Sequence, residues 1–308
     1  MFLSLLLLII FIPIQKIFQD TAGLGQKVPI VTATKDTFNT HLIYEETFEG
    51  NSYFPLTGNT INKTHAIENC ATDWALSRVT DPVFQGHKAC RFETRKDQEL
   101  VGAAERIRSE VTIIKADEDE RFTPDMWYSF SVLFPSKEFK YNEKRDCFNQ
   151  WFEDGSRETT LRTEKDRAYL EVAPPLDSPL MMRYDLFSSR SGTKGNIDSF
   201  DIIPKDQWHE FVFHFIHSKG EDGLIEVWRD GVKIHRITGR NMHLKYPKWK
   251  IGLYSSIRKY TLDSKAIYFD NIRVGNASAT FADMTSISKS SQTSSTSSSA
   301  SSTPNQNH

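Results

Sequence analysis

Three short stretches of the chain carry side chains that could do chemistry together. In Arg106-Ile107-Arg108-Ser109-Glu110-Val111 the alternation puts Arg106, Arg108 and Glu110 on one face of a strand. Two guanidiniums with a carboxylate beside them make a rigid, bidentate receptor for an anion, the glutamate holding an arginine in place. Asn149-Gln150-Trp151-Phe152 sets an amide side chain among aromatics. Trp249 to Ser256 alternates again: Trp249, Ile251 and Leu253 point one way, and Lys250, Gly252 and Tyr254 the other. The apolar back places that strand on a core. Its front offers an ammonium and a phenol, with a glycine between them that leaves room for close approach to the backbone. A cation and a phenol on one open face suit an anionic substrate that must lose a proton. Read singly, each stretch is equally a half-buried strand with a solvated polar face or a surface ion-pair ladder.

Strands must position these groups. Tyr44 to Gly50 reads as a first strand, followed by some twenty polar residues taken as a surface loop. Trp74 to Val79 and Ala89 to Thr94 flank the turn Gln85-Gly86-His87; Arg106 to Ile114 and Met126 to Phe134 follow. Asp146 to Phe152, Thr159 to Thr163, Ala168 to Val172 and Met181 to Leu186 are further strands, and Ser188 to Gly195 has the composition of a mobile loop. Trp208 to His217 puts His209, Phe211, Phe213 and Phe215 on one face. Asp230-Gly231, between two alternating runs from Ile225 to Ile234, is a two-residue hairpin turn because both positions need positive φ. Ala266 to Val274 is the last strand. No segment has a long helical period. Many short strands with turn signals between them specify an all-β sandwich or barrel, over one domain from 44 to 275.

Composition bounds the rest. The 308 residues include 38% hydrophobic residues and 21 Phe, enough for a sizeable core. The formal net charge of −2, without a basic tract, argues against nucleic acid as a partner. Positive charge is local: Arg106, Arg108, Lys245, Lys248, Lys250, Arg258 and Lys259. Phe2 to Ile12 is an apolar run closed by Pro13, short of the about 20 residues a membrane span needs. Residues 1–23 therefore read as a secretory signal, with an uncleaved anchor as the alternative because no Lys or Arg precedes the run. Residues 24–43 read as a leader, and 276–308 as a disordered Ser/Thr-rich tail. If the signal is cleaved, the protein is extracellular and has no stable membrane association. In a secreted chain one disulfide is allowed among Cys70, Cys90 and Cys147, and Cys70 with Cys90 is the expected pair. Asn62-Lys63-Thr64 and Asn276-Ala277-Ser278 are glycosylation sequons.

The order Arg-Ser-Glu, then Gln-Trp-aromatic, then Trp-Lys-x-Gly-x-Tyr resembles the jelly-roll polysaccharide lyases, in particular glucuronan lyases and heparin lyase I-like proteins, and more distantly alginate lyases. Supporting stretches are Tyr44 to Gly50, Trp127 to Ser131, Trp208 to His214, Asp222 to Gly231 and Tyr268 to Ile272, so the resemblance spans residues 44 to 275. It implies a concanavalin A-like jelly-roll sandwich with a concave glycan-binding face, a monomer acting on an acidic polysaccharide. It also implies β-elimination, in which the C5 proton of a uronic acid is removed and the C4 oxygen expelled. By motif, Arg108 and Gln150 would bind the carboxylate, Tyr254 would serve as base and acid, and Lys250 would hold a flanking acidic sugar, with Arg106 and Glu110 beside them. No cofactor is required. Related sandwiches carry a structural calcium, for which the acidic Glu49 and Asp270 are candidates; they equally cap turns, and no ligand set follows from the sequence.

One departure stands out. Relatives often have Gln-x-His, and this chain has Phe152 at the histidine position. Tyr254 then works alone, another histidine such as His65 or His243 supplies the imidazole, or the protein only binds glycan, as a lectin-like sandwich does. A sandwich glycoside hydrolase needs two carboxylates about 5 to 10 Å apart, and among the three motifs only Glu110 is acidic.

Overall fold

The computed structural model describes residues 40–54, 66–70, 72–101, 106–115, 121–153, 159–172, 181–193, 196–256 and 262–287. The expected signal segment, most of the leader, the Asn62 sequon, His65 and the chain beyond 287 lie outside the described residues.

Two antiparallel eight-stranded sheets face each other. The back sheet runs β14 (Val232–Thr238), β13 (Leu224–Arg229), β12 (Trp208–Ile216), β6 (Asp125–Leu133), β16 (Ser264–Gly275), β4 (Ala89–Arg95) and β3 (Leu76–Val79), with β1 (Leu42–Glu46) also paired to β16. The front sheet runs β11 (Ser191–Thr193), β10 (Met182–Asp185), β9 (Arg167–Val172), β8 (Thr159–Glu164), β7 (Asp146–Phe152), β15 (Lys248–Ser256), β5 (Arg106–Lys115) and β2 (Ala66–Asn69). This is the expected all-β jelly-roll sandwich.

The alternation read from the sequence is what fills the core. Tyr128 and Phe130 of β6, with Phe211, Phe213 and Phe215 of β12, meet Trp151 of β7 and Trp249, Ile251 and Leu253 of β15, all buried. Rings bridge the sheets: Trp151 lies 4.4 Å from Phe215 and Trp249 lies 5.0 Å from Tyr128. Full burial of one such side chain is worth about 1.5–3 kcal/mol, so these rows supply much of the drive to pair the sheets. The hairpin turn is as expected, with positive φ at both Asp230 and Gly231. A buried ion pair also ties the sheets together. Lys265 Nζ of β16 lies 2.5 Å from Asp146 Oδ2 of β7 and 4.4 Å from the Phe139 ring, and the Ser255 hydroxyl donates to the same carboxylate.

Four expectations are corrected. The polar stretch after β1 was expected to be all loop, yet it contributes β2, a four-residue edge strand too short to show a period. Ser191–Thr193, inside the expected mobile loop, pairs as β11 with β10. The packed chain does not stop at 275: Ala279, and Met284 of the short helix α1 (Phe281–Met284), are buried against Trp127, Val212 and Trp228 on the outer face of the back sheet. Composition hid this because a few apolar residues among Ser and Thr suffice to dock a short segment. Finally, Cys70 and Cys90 are both buried and not joined to each other, so the expected Cys70–Cys90 disulfide is not formed.

Candidate active site

Strand β15 lies between β7 and β5, and this adjacency gathers the three motifs. Lys250 pairs with Gln150 across to β7, while Gly252 pairs with Glu110 and Tyr254 with Arg108 across to β5. Directly opposed residues point to the same side of a sheet. All six sequence-predicted residues therefore share the outer face, away from the core. Glu110, Gln150 and Lys250 are buried and form a floor; Arg106, Arg108 and Tyr254 are half-buried and stand open above it.

Glu68 on β2 is the residue that sequence reasoning missed. It pairs in register with Glu110, and its carboxylate takes Lys250 Nζ at 2.6 Å and a hydrogen bond from Arg108 Nη1. Arg108 Nε lies 3.0 Å from Glu110 Oε2, and Gln150 Nε2 donates to Glu110 Oε1 at 2.7 Å. Burial pushes the Glu110 carboxyl above its usual range, against the opposing pull of Arg108 and Lys250. Glu110 is thus an internal strut for Arg108 and Gln150. With a side chain 0% exposed, it is closed to substrate. That disposes of a hydrolase pairing Glu68 with Glu110, even though the second acid is present.

Around the phenol the geometry is different. Arg106 Nε donates to the Tyr254 hydroxyl at 3.1 Å, and the Arg108 guanidinium sits 4.9 Å from the ring centroid. Two guanidiniums thus stand beside the phenol. Phe152 lies on the same face and offers its ring to Lys250 Nζ at 4.8 Å. No described histidine belongs to a front-sheet strand. His243 is buried before the start of β15, its backbone N–H bound by Glu153 at 2.9 Å. Six residues of strand separate that start from Tyr254, about 20 Å, so His243 does not reach the phenol.

Gly252 plays another part than expected. Its φ is +129°, and a Cβ there would come within 2.2 Å of the Ser109 carbonyl oxygen and 2.7 Å of Glu110 Cα. The glycine admits the neighbouring strand β5, not a ligand. Glu49 accepts the backbone N–H groups of His87 and Lys88, and Asp270 those of Phe84, Gln85 and Asn271. Among the described residues no group of three or more His, Cys, Asp or Glu is placed to hold a metal.

With the site laid out, the chain can be set beside known proteins. No curated protein matches it. Among solved structures it is similar to an endo-beta-1,4-glucuronan lyase from the fungus Trichoderma reesei, at 16% identity and a TM-score of 0.54, covering 79% of this chain and 98% of that one. It is also similar to a marine PL-14 alginate lyase from Aplysia kurodai, at 12% identity and a TM-score of 0.47, covering 76% and 99%. The cellulose-induced protein Cip1 matches at 14% identity and a TM-score of 0.47, covering 75% and 96%. The first of these likenesses speaks for the fold. Family membership rests on the sequence: the model of the family described as "Polysaccharide lyase" matches residues 54–273, most of the chain and all three motifs, and the chain belongs to that family.

Proposed function

We propose that the protein cleaves a uronic-acid polysaccharide, glucuronan in preference, by β-elimination outside the cell. The observation that carries this reading is the open Tyr254 hydroxyl, held by Arg106 and flanked by Arg108 on the face that also bears Lys250 and Gln150. A substrate carboxylate takes the place of Glu68 on Arg108, and the fixed guanidinium meets the charge that grows there as the C5–H bond breaks. Tyr254, as phenolate, takes the C5 proton. The electron pair forms the C4–C5 double bond, the C4–O bond breaks, and the phenol returns its proton to the departing oxygen. Atoms and charge balance with one proton-transfer group.

One group can serve both steps only if the C5 proton and the C4 oxygen lie on the same face of the sugar ring. They do in D-glucuronate and D-mannuronate, and they lie on opposite faces in guluronate and galacturonate. With Phe152 where relatives have histidine, and no described histidine on the front sheet, same-face substrates are favoured. Family resemblance then selects glucuronate.

The second reading is a glycan-binding protein without turnover. Two observations favour it: Phe152, and the engagement of Arg108 and Lys250 by Glu68. One assay separates the two. Elimination creates a conjugated double bond, so ultraviolet absorbance should rise on mixing with glucuronan, less with polymannuronate, and least with polyguluronate. Binding of glucuronan without any rise would establish the second reading. Faster cleavage of polyguluronate would overturn the one-group mechanism and point to His65, which is next to β2 in sequence.

A further inference from the structure

The row that begins at Lys250 and Gln150 does not end at β7. Gln150 pairs with Thr160 of β8, Thr160 with Glu171 of β9, and Glu171 with Arg183 of β10. Opposed residues share a side, so Glu171 and Arg183 stand on the same outer face as Tyr254.

Glu171 is a hub for three arginines from three different places in the chain. Arg145 Nη1 donates to both its oxygens, at 3.2 and 3.0 Å; Arg162 Nε donates at 3.1 Å, and Arg183 Nε at 3.0 Å. Arg183 is 3% exposed and lies 4.6 Å over the Tyr169 ring, a fixed cationic plate. Glu164 adds a contact to Arg183 at 3.7 Å and accepts the Tyr169 hydroxyl at 3.0 Å. Burial alone would raise the Glu171 carboxyl, but Arg162, Arg145 and Arg183 outweigh it and hold it below the usual range.

Stability does not require this arrangement. Neutralising one buried carboxylate takes one guanidinium, and crowding two more onto it adds mutual repulsion, which an arriving anion relieves. Arg145 is built to receive one. It engages Glu171 through Nη1 only; its Nε and Nη2 have no partner among the described residues, and its side chain is 25% exposed. A guanidinium fixed at one nitrogen and open at the others is a preorganised fork for a planar carboxylate.

We propose that Arg145, Arg162 and Arg183, gathered on Glu171, form a second subsite that takes the carboxylate of a uronic acid further along the same polysaccharide chain. The inference rests on the proposed function in its choice of polymer. Tyr254 pairs with Cys147 of β7 and Cys147 with Arg162 of β8, so the cluster begins two strand spacings from Tyr254, about 10 Å. A 1,4-linked sugar advances by about one strand spacing, so a disaccharide seated at Tyr254 falls short and a chain of three or four units arrives.

The test measures binding, not turnover. Calorimetric Kd values for oligoglucuronates of two to six units are compared between the Tyr254→Phe chain and the same chain carrying Arg145→Gln. In the first, affinity should step up about tenfold once the oligomer reaches the cluster, the worth of one charge-assisted bond. Arg145→Gln should remove the step and leave the disaccharide Kd within about twofold. Arg162→Gln, changed on a separate strand, should lose the same step, which guards against a folding defect in either variant. A length profile unaltered by both substitutions, or equal weakening at every length, overturns the subsite while leaving the lyase reading intact. Normal ultraviolet turnover of glucuronan by the unmodified chain would stand beside that result. No binding of oligoglucuronate at any length, with no turnover, overturns both.

Discussion

The two sheets share one core and treat their outer faces in opposite ways. Around Trp127, Val212 and Trp228 the back sheet is apolar, and the chain covers it itself with Ala279, Phe281 and Met284. Glu210 fastens that cover by accepting the Thr285 hydroxyl and the Ser286 N–H, each at 2.5 Å. The front sheet, built on the same alternation, lines its outer face with arginines, glutamates, a lysine and a phenol, and Arg106, Arg108 and Tyr254 remain open. Inward-facing residues make the fold; the outward ones decide which face can meet a ligand.

If that division is right, substitutions should sort by face. The largest effect belongs to the front. Tyr254→Phe should lower turnover of glucuronan by about 10²–10⁴, the usual worth of a general acid–base group, while stability and oligosaccharide Kd stay nearly unchanged. A comparable loss of stability in that variant would mean the phenol is structural. Between the sheets the order reverses. Lys265→Met strands the Asp146 carboxylate and should cost about 3–5 kcal/mol in denaturant unfolding, with KM unaltered in whatever fraction stays folded.

The back face should respond to truncation. A chain ending at 275 loses the burial of Met284 and should be about 2–3 kcal/mol less stable than one ending at 287. In Tm that is roughly 4 to 12 °C. Equal melting of the two would remove the cover from the comparison.

The smallest effect is a pH slope. His217 is buried against Tyr128, and burial pushes its imidazole from 6.5 down to about 3. Its folded pKa is depressed, so the stability it permits is complete above about 6.5 and is lost as pH falls towards 3. The rate of loss is up to about 1.4 kcal/mol per pH unit. Asp270 works against this. Burial, more than the charge of Glu49, raises its carboxyl to about 6. Its contribution is therefore full below its ordinary 3.8 and is lost as pH rises through 6. Unfolding midpoints of His217→Gln against the unsubstituted chain isolate the histidine: the variant should gain on it steadily from pH 6.5 downward. A constant difference across that range would show that His217 stays uncharged in both states.

Much of this was legible in the chain because strands state their facing residue by residue. Lys250 and Tyr254 alternate with Trp249, Ile251 and Leu253, and that pattern alone placed them outward on a common face. Asp230-Gly231 announced its hairpin through the positive φ that both residues adopt. Glu68 could not be read, because four residues of edge strand carry no period and its partners lie 40 and 182 positions away. The Glu171 cluster was hidden for the same reason: Arg145, Arg162 and Arg183 meet only once β7 to β10 are laid side by side. Gly252 was read for its lack of a side chain, but sequence does not say whether a ligand or a neighbouring strand will use the space.

Glu68 also sets terms for whatever arrives at the site. With its carboxylate on Arg108 and Lys250, the empty face is already charge-compensated, so binding there is an exchange of one carboxylate for another and not a capture by bare cations. Simple salts and unrelated polyanions gain little from such an exchange, since what they offer is already in place. A ligand wins only by bringing contacts that Glu68 cannot, such as a ring seated against Tyr254 and a chain continuing across the sheet. The edge strand thereby turns a site that could hold any anion into one that asks for shape.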